Sequence, residues 1–112
     1  VCPVSEESMH VGFLHGRLPP GTRLAAPPGE TFVALHSKLG FVETARRHGL
    51  PIPPSARADT AEAAPIAAAG RHVVKPILSC GGRDIRIRPA GPLPDPSPAD
   101  LVQRFVDGPH LS

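Results

Sequence analysis

The sequence has few aromatic residues and few cysteines. Among its 112 residues there is no Trp or Tyr, and Phe, with four copies, is the only aromatic type. A folded core would therefore be mostly aliphatic and rich in alanine. The two cysteines are too few and too far apart along the chain to form a disulfide framework. This pattern favours a reducing, cytoplasmic compartment.

The chain also lacks a long apolar run, a signal-peptide pattern and a concentration of charge of one sign. No apolar run approaches the ~18 residues that a membrane span needs. The formal net charge is +2, and the basic residues are scattered without aromatic neighbours that would stack on bases. We therefore expect neither a membrane nor a nucleic acid as a partner.

Proline and glycine, by contrast, are abundant, with 16 and 11 copies. This content approaches the range of disordered low-complexity chains. The apolar residues nevertheless cluster into periodic runs, which favours a folded chain. The basic residues are almost all Arg, and the only lysines are Lys38 and Lys75. In such a chain the two lysines are candidates for positions that require a compact ammonium group.

Periodicity, capping residues and prolines predict alternating helices and strands. We expect helices from Ser5 to about residue 18, over 30–35, over 38–48 and from Thr60 to about residue 69. We expect strands over 1–4, 23–26, 55–58, 72–76, 85–88 and 101–106. The first residue falls inside a predicted strand and the last follows a turn, so we expect a segment of a larger protein.

The segment from Val73 to Arg83 has the chemistry of an anion site. Lys75 ends a predicted strand, and the glycine pair Gly81–Gly82 lies in the loop that follows. Glycines allow the backbone to approach a ligand closely and to direct N–H groups at an anion. The loop joins two strands, so it is neither a P-loop nor a Rossmann fingerprint. A plain hairpin turn is the alternative interpretation.

The order of these motifs resembles the ATP-grasp superfamily, especially its carboxylate–amine and carboxylate–thiol ligases. The motifs are Ser37-Lys38-Leu39-Gly40-Phe41, His48-Gly49-Leu50-Pro51-Ile52-Pro53, Val73-Val74-Lys75-Pro76, the Gly-Gly loop, and the run from Leu101 to Ser112. Residues 3–7 are similar to the end of the domain that precedes ATP-grasp in the carbamoyl-phosphate-synthase-like branch. The resemblance covers essentially the whole chain.

The resemblance implies an α/β fold in two parts. Residues 1–35 would be the tail of a Rossmann-like pre-ATP-grasp domain, and residues 36–112 the first, incomplete ATP-grasp subdomain. It also implies residue roles. The phosphates of ATP would contact Lys38, Lys75, Ser79, Gly81, Gly82 and Arg83. The adenine edge would pair with the hinge strand Gln103, Arg104, Phe105 and Val106, and the ribose would contact His110.

Three positions depart from the family pattern. Asp84 stands where a small residue is common, Gln103 replaces a Glu, and His110 replaces the Glu that holds the ribose. In the family, Mg²⁺ is bound by acidic residues and an Asn farther along the chain. The complete enzyme would activate a carboxylate as an acylphosphate for attack by an amine or thiol. We expect this chain alone to be inactive and to bind no metal.

Other interpretations stay open. The protein would be a non-catalytic nucleotide-binding or interaction module if the departures abolish catalysis, or a small basic interaction domain if both lysines are accidental. Lys38 would then be a solvated first-turn residue and Lys75 an edge-strand charge that prevents aggregation. Gln103 would face solvent. The six histidines show no ligand spacing, and Cys80 has no evident base for nucleophilic chemistry.

Overall fold

The computed structural model describes residues 7–109, where helices and strands alternate around one antiparallel sheet. The helices of this part of the chain are α1 (Glu7–Gly12), α2 (Gly29–His36), α3 (Lys38–Arg47) and α4 (Ala63–Ala68). Its strands are β1 (Ser55–Arg57), β2 (His72–Pro76), β3 (Arg86–Arg88) and β4 (Asp100–Arg104). The predicted mixed α/β class is therefore confirmed.

The sheet order is β1-β4-β2-β3, and every neighbouring pair is antiparallel. The last strand in sequence, β4, lies between β1 and β2. Its Leu101 and Val102 are fully buried. The strands predicted on either side of the glycine loop pair as β2 and β3, with Val73 opposite Ile87. This topology places the glycine loop at one end of β2 and α3 beside it.

Helix α3 begins and ends as its sequence predicts. Ser37 caps it, since its side chain accepts a hydrogen bond from the Gly40 amide at 3.2 Å. Arg46 and Arg47 lie in the last turn, where cations suit the helix dipole. Gly49 follows with a φ of 66°, a left-handed conformation that glycine adopts without strain. These signals fix the two ends of α3, and Lys38 is its first residue.

The two faces of the sheet differ in what covers them. Side chains alternate between faces along each strand. One face, here called the covered face, carries Ala56, His72, Val74 and Val102, and α4 packs on it. The small Ala63 and Ala67 of α4 are fully buried there, and they allow the helix to approach the strands closely.

The other face, here called the cleft face, carries Val73, Lys75, Ile87, Leu101 and Gln103. Helix α3 packs against β1 on this face, and its Val42 and Ala45 are buried. Its first turns line a cleft with Leu101 of β4 and Lys75 of β2. The part over β2 and β3 is open, and Ile87 is 56% exposed. The cleft face is therefore the accessible side of the sheet.

Several predicted boundaries were wrong. The first helix ends at Gly12 instead of reaching residue 18, and Gly16 adopts a left-handed φ of 77° that a helix cannot contain. Residues 23–26 form no strand, because no neighbouring segment pairs with them. The Ala26 carbonyl instead bonds the His15 imidazole. The strand predicted over 1–4 and the cap Ser5 lie outside the described residues.

Two later boundaries also differ. Helix α4 begins at Ala63, and Thr60 does not cap it, since its hydroxyl donates to the Arg57 carbonyl at 2.7 Å. Thr60 thus closes the turn after β1 instead of beginning a helix. Strand β4 ends at Arg104, so Phe105 and Val106 lie beyond it.

Candidate functional site

Lys38 links the start of α3 to the end of β2. Its ammonium donates to the Ser79 carbonyl at 2.8 Å and to the Ser79 hydroxyl at 2.9 Å. Its backbone amide donates to the Ile77 carbonyl at 3.0 Å. The first turn of α3 is thereby fixed on the segment that leads into the glycine loop. Lys38 and Ser79, both expected at the phosphates, lie in direct contact.

Lys75 is held by a side chain of the central strand. Its ammonium donates to the Gln103 Oε1 at 2.8 Å. The Gln103 amide donates to the Ser55 hydroxyl at 2.7 Å, and that hydroxyl donates to the Pro53 carbonyl at 2.7 Å. Both ends of the Gln103 amide are therefore hydrogen-bonded. The alternative interpretation, in which Gln103 only faces solvent, is wrong.

Both lysines line one cleft of about 230 Å³, together with His36, Phe41, Leu101 and Gln103. Burial lowers the pKa of the Lys75 ammonium below its usual value, and the nearby positive charge of Lys38 lowers it further. Two ammonium groups that repel each other in a half-buried cleft provide a favourable site for an anion.

No acidic side chain offsets this charge in the part of the chain that the structure describes. Every ion pair found there involves arginine: Arg57–Asp59, Arg71–Asp107 and Arg86–Asp100. The acceptors at both lysines are uncharged oxygens. The cleft thus retains its positive charge for a ligand.

The glycine loop lies beside the cleft and is exposed. Gly81 and Gly82 have φ values of 65° and 69°, and Asp84 has a φ of 57°. These left-handed values suit the two glycines, and the Arg83 amide already donates to the Cys80 carbonyl at 3.4 Å. Arg83 is exposed on the loop. The structure therefore brings Lys38, Lys75 and Ser79 together. The two ammonium groups donate to Ser79 and Gln103 and not to Gly81, Gly82 or Arg83.

The backbone after β4 offers one acceptor and one donor. The Arg104 amide donates to the Pro54 carbonyl and the Phe105 amide to the Arg71 carbonyl. Proline has no N–H group to return the bond, so the Arg104 carbonyl receives none from β1. The amide of the exposed Val106 has no partner among the described residues.

The backbone of Gln103 is occupied within the sheet. Its partner across the ladder is Val73, and the bonds at Phe105–Arg71 and Ile77–Ala99 flank this pair. Antiparallel alternation makes Gln103 and Val73 a hydrogen-bonded pair. The backbone of Gln103 is therefore not available to adenine. The expected adenine contact is left with the backbone of residues 104–106. His110, expected at the ribose, lies outside the described residues.

Sequence reasoning missed three residues of this site. Ser55 was assigned only to a strand, and nothing in its local pattern indicated that it would bond Gln103 across the β1–β4 pair. Pro54 accepts the Arg104 amide, and its missing N–H is the one signal that the sequence offers for this position. His36, at the end of α2, lines the lysine cleft because α2 and α3 are nearly continuous.

The residues present fit the phosphates of ATP but not its metal ion. The two ammonium groups and the Ser79 hydroxyl donate hydrogen bonds of the kind that phosphate oxygens accept. Within residues 7–109 no group of three or more His, Cys, Asp or Glu side chains could hold a metal ion. None of the described helices is long and apolar enough to cross a membrane.

Comparison with known families agrees with this geometry. A model of the ATP-grasp domain matches residues 35–112, well over half of the chain. The chain matches no curated protein and no solved structure. The chain therefore belongs to the ATP-grasp family. ATP-grasp domains bind ATP, generally with Mg²⁺.

Proposed function

We propose that the cleft between α3 and the sheet binds the triphosphate of ATP through Lys38, Lys75 and Ser79. The observation that supports this most directly is the pair of lysines. The only two lysines of an arginine-rich chain meet in one cleft, from a helix start and a strand end that are 37 residues apart (75 minus 38). Neither has a carboxylate partner among the described residues.

The glycine loop would cover the outer phosphates. Ser79 already contacts Lys38, so the loop begins at the cleft. Gly81, Gly82 and Arg83 follow in an exposed segment with little to bury, which can move without breaking a core contact. We propose that these three residues close over the phosphates when ATP binds.

We propose that adenine pairs with the backbone of Arg104 and Val106. The exocyclic amino group of adenine is a donor and its N1 atom is an acceptor. The Arg104 carbonyl, which receives no bond from Pro54, would accept from the amino group. The Val106 amide would donate to N1. The ribose contact of His110 remains part of the same proposal.

In the complete protein, the proposed reaction forms an acylphosphate. A carboxylate oxygen of the substrate attacks the terminal phosphorus of ATP, and ADP leaves. An amine or thiol then attacks the acyl carbon, releases phosphate and loses a proton. We further propose that residues 1–35 and 36–112 belong to a pre-ATP-grasp domain and to the ATP-grasp domain, as in the carbamoyl-phosphate-synthase-like branch.

The experiment that tests this proposal compares ATP with adenosine on single variants. Lys75→Met keeps the apolar stem of the side chain and removes the charge. Loss of one charge-assisted hydrogen bond costs about 1.5–3 kcal/mol, or roughly 10- to 150-fold in affinity. We expect that loss for ATP and almost none for adenosine, measured by calorimetric or NMR titration.

Arg57→Met is the matched control. Arg57 lies on the same face of the sheet, but its guanidinium pairs with Asp59 at an exposed position away from both lysines. This control should leave ATP affinity nearly unchanged. If Lys75→Met leaves ATP binding intact, or weakens adenosine to the same extent, the phosphate assignment is wrong and the glycine segment is only a turn.

A further inference from the structure

The hydrogen bonds around Gln103 have a fixed direction. The Ser55 hydroxyl donates its only proton to the Pro53 carbonyl. It must therefore accept the hydrogen bond that joins it to Gln103. The Gln103 amide must therefore direct its NH₂ group at Ser55 and its oxygen at Lys75. Ser55 is 2% exposed, so its hydroxyl relies on these two protein partners and not on water. The amide cannot flip without leaving buried groups unpaired.

The acceptor that this arrangement presents to Lys75 is uncharged. The Glu that is common at this position in the family would form an ion pair with Lys75 and offset part of its charge. The amide oxygen fixes the ammonium by hydrogen bonding and leaves its charge in the cleft. The Lys38 ammonium also keeps its charge, since the two oxygens that accept its hydrogen bonds are the uncharged carbonyl and hydroxyl of Ser79.

We propose that Gln103, oriented by Ser55, is a positioning residue that holds Lys75 without neutralising it, so that the cleft selects nucleotides by their number of phosphate charges. The inference rests on the proposed function, because it assumes that the cleft binds phosphates. It assigns the Gln103 side chain to the phosphate end of the site and leaves adenine to the backbone beyond it.

The test compares two near-isosteric variants. Gln103→Glu keeps the size of the side chain and adds the charge that the amide avoids. Gln103→Met keeps the size and removes the hydrogen bonds. Ala64→Glu adds the same charge at an exposed position of α4, on the other side of the sheet, and is the matched control.

Each protein is titrated with ATP, ADP, AMP, adenosine and inorganic tripolyphosphate. For the wild type, we expect affinity to rise with the number of phosphates. Gln103→Glu should weaken ATP and tripolyphosphate by about tenfold. It should weaken AMP less and adenosine hardly at all. The affinity of this variant should therefore rise less steeply with the number of phosphates than that of the wild type. Gln103→Met should weaken all phosphate ligands by a few-fold but keep their rank. Ala64→Glu should resemble the wild type.

Two outcomes of these titrations would overturn the inference. If Gln103→Glu weakens adenosine as much as ATP, Gln103 reads the base. If both Gln103 variants lower the melting temperature but leave the relative affinities unchanged, Gln103 is only structural.

An NMR titration of the Lys75 side chain separates the inference from the proposed function. The cleft groups that share the space with this ammonium are Lys38 of α3 and His36 of α2. Gln103→Glu should raise the midpoint of the Lys75 titration, and Ala64→Glu should not. A wild type that binds neither ATP nor tripolyphosphate overturns the proposed function and the charge selection with it. An unmoved Lys75 midpoint overturns the positioning role itself.

Discussion

The two faces of the sheet differ in what covers them. The covered face is closed by alanine, valine and the buried His72, and α4 packs directly on it. The cleft face carries an ammonium, an amide and open apolar positions such as Ile87. The same strands supply both faces, because successive side chains point to opposite sides. One short sheet thus has a core on one side and the proposed binding cleft on the other.

We therefore expect stability to depend mainly on the covered face and ligand binding mainly on the cleft face. Substitutions on the covered face should change the free energy of unfolding and leave the preference for ATP over adenosine unchanged. Substitutions of the polar cleft residues Lys75 and Gln103 should chiefly change that preference and should change stability less.

The largest effect is expected at the interface of α4 with the covered face. Ala63 is fully buried and its neighbour Ala64 is exposed. Ala63→Asp would bury a carboxylate without a partner, which should cost about 3 kcal/mol or more. Ala64→Asp should change stability by no more than about 0.5 kcal/mol. Urea denaturation of both variants measures the difference. Equal destabilisation would show that α4 is not packed as described.

A smaller effect is expected on the cleft face at alkaline pH. Burial and Lys38 hold the pKa of Lys75 below its usual value of 10.5. Between the folded and unfolded pKa values the unfolded chain binds more protons, so stability should rise with pH in that interval. Below the folded pKa the lysine is charged in both states, and its cost to stability is constant.

The Lys75→Met variant isolates this effect, because it removes the titrating group and leaves the others. Its free energy of unfolding should lack the alkaline rise that the wild type shows. Unfolding curves at a series of pH values up to 10.5 provide the comparison. Parallel pH profiles for the two proteins would mean that Lys75 is not desolvated.

The sequence predicted best those features that depend on local signals. The cap at Ser37, the left-handed Gly49 and the proline-bounded strands lie close to their expected positions. Each of these is determined by residues within a few positions along the chain. The scarcity of lysine also indicates Lys38 and Lys75 as candidate site residues.

The features that the sequence did not predict depend on contacts between distant segments. Ser55 and Gln103 bond across the β1–β4 pair, 48 positions apart, and no local pattern announces such a register. The strand expected at 23–26 failed because a strand needs a neighbour, which propensity does not supply. The expected hinge strand stopped at Arg104 for the same reason, since β1 begins at Ser55 and β2 at His72 and neither extends past Arg104.

The measurement that tests the central claim most directly is an NMR map of the ATP contact surface on the wild-type chain. ATP should shift the resonances of Lys38, Lys75, the segment 79–83 and residues 104–106. Resonances of α4 and of the loop 89–98, next to the covered face, should stay in place. The account would be contradicted if millimolar ATP shifted mainly the α4 and 89–98 resonances, or shifted none at all.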